Sequence, residues 1–207
     1  MIRFTTKTMA ALAVAGAMFG PTLASAAPIG YSLSISGDTN VPTFALTNTG
    51  GAGALDIVGF VLEIKEPSRG IDPGDSNFDV SGGAAAGLTV NEPTGGAHSQ
   101  TIDFSYTGLS SGNTHTFTAD HDGFPSGDTV YDYRSILFNN GADDNAMLTI
   151  TFDGGSQLMQ TLADQSGSAP FVFSQSGDGD PGTVSEPAVL ALLGAAVLGV
   201  AGIRRRK

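Results

Sequence analysis

The sequence predicts an all-β fold: an antiparallel β-sandwich, jelly-roll or Ig-like, of about nine strands. Three observations predict it. Apolar and polar residues alternate with a period of two through much of the chain, as they do in half-buried strands. Clusters of Gly, Pro, Asn and Asp interrupt these runs at short intervals, where turns are expected. Between residues 27 and 183 no stretch carries a convincing 3.6-residue apolar period, so a helix would have no face to bury.

The elements follow in order. In residues 31–36, Tyr31, Leu33 and Ile35 share one face and Ser32, Ser34 and Ser36 the other. Residues 43–48 repeat this with Phe44 and Leu46 inward. Residues 56–65 set Val58, Phe60, Leu62 and Ile64 on one face but Ile57 and Val61 on the other, which predicts a central strand covered on both sides. A short strand is expected over 87–91. Residues 101–106 direct Ile102, Phe104 and Tyr106 inward, against Thr101, Asp103 and Ser105. Strands over 114–119 and 129–138 come next. Residues 146–153 point Leu148, Ile150 and Phe152 inward, and 157–162 pairs with them across Asp153-Gly154-Gly155-Ser156. Residues 157–165 also read as a brief helix. Residues 171–173 form a last edge strand. The clusters at 49–53, 67–77, 93–96, 120–128 and 139–145 read as loops, and 174–183 as a flexible Gly/Asp/Ser tether.

Both ends carry an address. Arg3 and Lys7 precede an apolar, small-residue run over 9–20, Pro21 breaks it, and Ala24-Ser25-Ala26 supplies the small residues that signal peptidase reads. This layout predicts a secretory signal peptide, residues 1–26, cut after Ala26. A cut after Ala27 would leave Pro28 directly behind it. The sandwich ectodomain is then 27–173.

At the other end, Val184-Ser185-Glu186-Pro187 leads into sixteen uncharged apolar or small residues, 188–203, and then Arg204-Arg205-Arg206-Lys207. As a single hydrophobic helix the apolar run would rise about 24 Å, short of the roughly 30 Å of a hydrocarbon core. It suits a provisional anchor. The basic residues should stay cytoplasmic, which places the body on the opposite side.

Glu186-Pro187, the Leu/Ala/Gly-rich run 188–203 and the closing basic residues resemble the carboxy-terminal signal of PEP-CTERM proteins. Ser185 stands where that family's Pro-Glu-Pro motif has its first Pro. The resemblance covers 184–207 alone. It implies a Gram-negative bacterium that makes extracellular polysaccharide, transient inner-membrane anchoring, and processing near the motif by the membrane enzyme exosortase.

Composition sets limits on partners. Between residues 27 and 183, three cations, Lys65, Arg69 and Arg134, face nineteen carboxylates, a net charge of −16 against −11 for the whole chain. Such a surface repels nucleic acid and anionic lipid and attracts divalent cations weakly. Cys is absent, which excludes disulfides, thiol catalysis and thiolate metal sites.

Candidate sites are few. Asp120-His121-Asp122-Gly123 with Asp128 reads as an acidic loop that could hold Ca²⁺, an ion that takes six to eight oxygens. The loop lacks the EF-hand order of ligands. Asp143-Asp144-Asn145 and Asp178/Asp180 are weaker candidates. His98, His115 and His121 show no metal-site spacing and are expected to be exposed and uncommitted. Gly108-Leu109-Ser110-Ser111-Gly112 matches G-x-S-x-G. A nucleophile elbow needs a helix after the Ser; here a strand follows, so the segment reads as a hairpin loop. Glu63 and Glu66 are the nearest pair for carboxylate catalysis, whose geometry depends on the fold. Tyr131 and Tyr133, on one face of a strand, would suit stacking on a sugar, with core burial as the default for both rings.

The expectation is a non-enzymatic, exported, acidic protein of the cell surface or biofilm matrix. A carbohydrate-binding module is the alternative and a secreted hydrolase the second. Signal peptidase and exosortase would be its partners during export, with extracellular polysaccharide outside.

Overall fold

The computed structural model describes residues 26–81, 87–93, 98–124, 131–141 and 143–179, all within the compact unit Ser25–Thr183. Ala24, Asp128, Asp180, the motif Val184 to Pro187, the run 188–203 and the basic residues 204–207 lie outside the described residues. Among the described residues, no helix is long and apolar enough to cross a membrane.

Among the described residues, ten strands and one short α-helix run in the order β1 (Pro28–Gly37), β2 (Pro42–Asn48), β3 (Ile57–Glu63), β4 (Arg69–Ser81), β5 (Thr89–Glu92), β6 (Thr101–Leu109), β7 (Thr114–Gly123), α1 (Tyr133–Leu137), β8 (Met147–Phe152), β9 (Gln157–Thr161) and β10 (Phe171–Asp178). They form two five-stranded antiparallel sheets, ordered β10-β1-β2-β7-β4 and β5-β6-β3-β8-β9.

The alternation determines what each strand buries. Tyr31, Leu33 and Ile35 of β1, Phe44 and Leu46 of β2, Ile102 and Phe104 of β6, and Leu148, Ile150 and Phe152 of β8 are all fully buried. The sheets face each other through rings. Phe117 of β7 stands edge-on to Phe104 of β6 at 5.0 Å and to Phe60 of β3 at 5.6 Å, and stacks on Phe44 at 4.9 Å. Aromatic pairs at such distances add to the area that they bury. A buried Asn48 ties the layers at one end, its Nδ2 donating to the carbonyls of Leu55 (3.0 Å) and Leu109 (2.9 Å).

Six expectations need correction. First, the expected loop 67–77 belongs to β4, which pairs with β7. Pro73 and Gly74 inside it masked the strand, but β4 lies at a sheet edge and carries register shifts after Asp72 and Asn77, where Pro is tolerated.

Second, residues 129–138 are not a strand. Asp132 caps α1 by accepting from the Arg134 backbone N–H at 3.0 Å, and Tyr133, Ile136 and Leu137 are its buried residues. Their i, i+3, i+4 spacing is helical, over a stretch too short to stand out.

Third, residues 108–112 do not close a hairpin, because β6 and β7 belong to different sheets. Fourth, in β3 a bulge between Ile57 and Gly59 resets the phase, so Ile57, Phe60 and Leu62 are buried and Val58 and Val61 only partly. The strand is central but not covered on both sides. Fifth, β10 continues to Asp178, paired with β1. Residues 174–178 are therefore strand, not tether. The brief helix over 157–165 is also absent, replaced by β9.

Candidate metal centre

β7 brings the acidic residues of the sequence into the sheet. Asp120, His121 and Asp122 lie in its last turn of alternation, not in a loop, and are 3 %, 0 % and 5 % exposed. His121 continues the inward series of His115, Phe117 and Ala119, so Asp120 and Asp122 take the opposite face. Directly across the ladder, Asp72 of β4 pairs with Asp120, and Gly70 with Asp122. Paired residues in an antiparallel ladder share a face, which sets Asp72 beside both carboxylates.

Among the described residues, two segments lie over that face. The β1–β2 turn supplies Asn40, whose Nδ2 donates to Asp120 Oδ1 at 2.6 Å and whose Oδ1 accepts from the Tyr131 N–H at 3.0 Å. The Asp120 N–H donates to Ser76 Oγ at 2.9 Å, and Ser76 in turn donates to the Asp72 carbonyl.

The second segment carries His98. Ser99 forms an isolated antiparallel bridge with Ile71, with N–H to carbonyl distances of 2.7 and 3.1 Å. His98 is thereby held over the end of β4. Its Nδ1 lies 3.2 Å from the Gly123 carbonyl, and its Nε2 lies 3.5 Å from Asp72 Oδ2. One ligand atom each from Asp72, His98 and Asp122 lies within 4.8 Å of the others.

The remaining sequence candidates separate. Tyr133 is 1 % exposed, packed against Phe138 and Phe171. Tyr131 is covered by the Arg69 guanidinium, 3.7 Å above its ring centroid. The two therefore share no strand face. Asp120 and Asp122 are placed as above, while Asp128 lies outside the described residues. Glu63 pairs with Lys65, and Glu66 with Arg69. Ser110 Oγ donates to Asp56 Oδ2 at 3.1 Å, an exposed bond.

The histidines are not exposed and uncommitted. His115 and His121 are fully buried. His115 Nδ1 meets the Tyr106 hydroxyl at 2.8 Å, and burial raises that phenol far above its usual value. His121 Nδ1 lies 3.0 Å from the Ala119 carbonyl, and burial holds its pKa down at about 4. Sequence spacing carried no signal for the Asp72–His98–Asp122 group, because the β4–β7 ladder and the Ile71–Ser99 bridge bring its members together. No family model matches the chain, and no curated protein or solved structure shows significant similarity to it.

Proposed function

We propose that this chain is an exported, acidic, non-enzymatic protein of the cell surface or the extracellular polysaccharide matrix, with an adhesive or structural role. The carrying observation is the address at both ends of the sequence: Ala24-Ser25-Ala26 behind a short apolar run, and Ser185-Glu186-Pro187 ahead of residues 188–203 and the basic residues 204–207. A cut after Ala26 is compatible with the fold, since Ala27 then opens the mature chain with its carbonyl accepting from the Gly179 N–H at 2.8 Å. On this reading the chain is held briefly in the inner membrane, C-terminus cytoplasmic, until an exosortase processes it. The sheets take the jelly-roll form, a reading supported by β2–β3, β3–β4, β4–β5 and β6–β7 each passing from one sheet to the other. The net charge of −16 between residues 27 and 183 suits a hydrated matrix and disfavours polyanionic partners.

The test is the intact mass and location of the mature protein in its native cell. Loss of residues 1–26 and of the segment beyond Glu186-Pro187, with recovery outside the inner membrane, is the expected result. Inner-membrane protein still ending in Lys207 would overturn the sorting reading.

A further inference from the structure

We propose that Asp72, His98 and Asp122 form a binding site for one divalent transition cation of the zinc class. The site is independent of the sorting reading. It joins the β4–β7 edge of one sheet to the segment that carries His98.

The orientation of the imidazole is the first argument. A carbonyl oxygen can only accept, so the contact from His98 Nδ1 to the Gly123 carbonyl (3.2 Å) places a proton on Nδ1. Nε2, on the other side of the ring, then faces Asp72 Oδ2, 3.5 Å away. Metal-binding histidines are held in this way, the far N–H donating to a backbone carbonyl while the near nitrogen faces the ion.

Charge is the second. One oxygen each of Asp72 and Asp122 and one ring nitrogen of His98 lie within 4.8 Å of one another, and Asp122 is only 5 % exposed. Two carboxylates this close repel each other, and a divalent ion among the three donors offsets that repulsion.

Geometry and donor type select the class. Donors on a tetrahedron drawn about 2.1 Å from zinc stand about 3.4 Å apart, close to the 3.5 Å between Nε2 and Oδ2. One nitrogen and two carboxylates suit zinc or its neighbours. Calcium would seek six to eight oxygens instead. Asp72 and His98 keep side-chain exposures of 21 % and 13 %, which leaves an entry path and a fourth position for water.

The experiment is a competition titration of the full-length chain, with Zn²⁺ contested by a chromophoric chelator. One equivalent should bind with micromolar affinity or tighter. Asp72→Asn, His98→Gln and Asp122→Asn should each weaken it at least about ten-fold, while exposed Asp143→Asn should leave it unchanged. Circular dichroism checks that each variant folds. Should Asp122→Asn unfold, ¹⁵N-imidazole spectra of the unmutated chain decide: Zn²⁺ should move the Nε2 resonance of one histidine, the one missing from His98→Gln. Zn²⁺ bound as well by His98→Gln, no histidine resonance moving, or Ca²⁺ bound as tightly as Zn²⁺ would each overturn the proposal. A plain His–carboxylate ion pair would give the first of these.

Discussion

The Tyr106 hydroxyl meets His115 Nδ1 at 2.8 Å inside the core, joining β6 of one sheet to β7 of the other. Both side chains alternate inward from opposite layers, so the bond is a buried polar contact between the two sheets. Replacing Tyr106 with Phe removes one partner and strands the other, which typically costs about 1–3 kcal/mol. Chemical denaturation of Tyr106→Phe measures it. In a double-mutant cycle, Tyr106→Phe with His115→Leu should destabilise less than the two single changes summed, because both ends of the bond then disappear together.

Acid should weaken the fold through His121. Its folded pKa, about 4, lies below the usual 6.5 because burial opposes charge. Between those values the unfolded chain binds a proton that the folded chain refuses, so stability falls as pH drops from 6.5 to 4. The full effect is about 3 kcal/mol at 1.36 kcal/mol per unit. Melting curves across that window should drop more steeply for the unmutated chain than for His121→Phe. The comparison cancels the slope common to both from the carboxylates.

Phe117 is the ring on which the two sheets meet, touching Phe44, Phe60 and Phe104. Phe117→Ala should cost about 3–5 kcal/mol, the loss typical of a buried ring. Met159, 54 % exposed on β9, is the contrasting position. Met159→Thr should change stability by no more than about 0.5 kcal/mol, and urea denaturation of the pair checks both.

Gly70 allows the His98 segment to lie close on β4. A Cβ there would stand 2.9 Å from Phe124 Cδ2 and 3.1 Å from the Ser99 carbonyl. Gly70→Ala should therefore destabilise by about 1–3 kcal/mol, as overpacking does. It should also weaken zinc binding although every proposed ligand remains. A melt and a zinc titration on one sample test the two effects together.

Much of the fold was legible because strand alternation is local. Wherever apolar and polar residues strictly alternate, as in Tyr31 to Ser36, Ile102 to Tyr106 and Leu148 to Phe152, the chain shows which face it will bury without knowing its neighbours. Reading failed where local signals conflicted. Pro73 and Gly74 hid β4, and alternating Tyr131 and Tyr133 hid a five-residue helix whose cap, Asp132, lies between them.

The sequence by itself determined the β class, the acidic surface and the absence of thiol chemistry, each a property of residue type and near-neighbour order. Tertiary structure alone decided that His115 and His121 are core residues, that Asp120 and Asp122 are withdrawn from solvent, and that Asp72, His98 and Asp122 converge. The reason is physical: side-chain alternation is carried within a strand, whereas convergence depends on which strands exchange hydrogen bonds and in which register, and that is settled only when the sheets assemble.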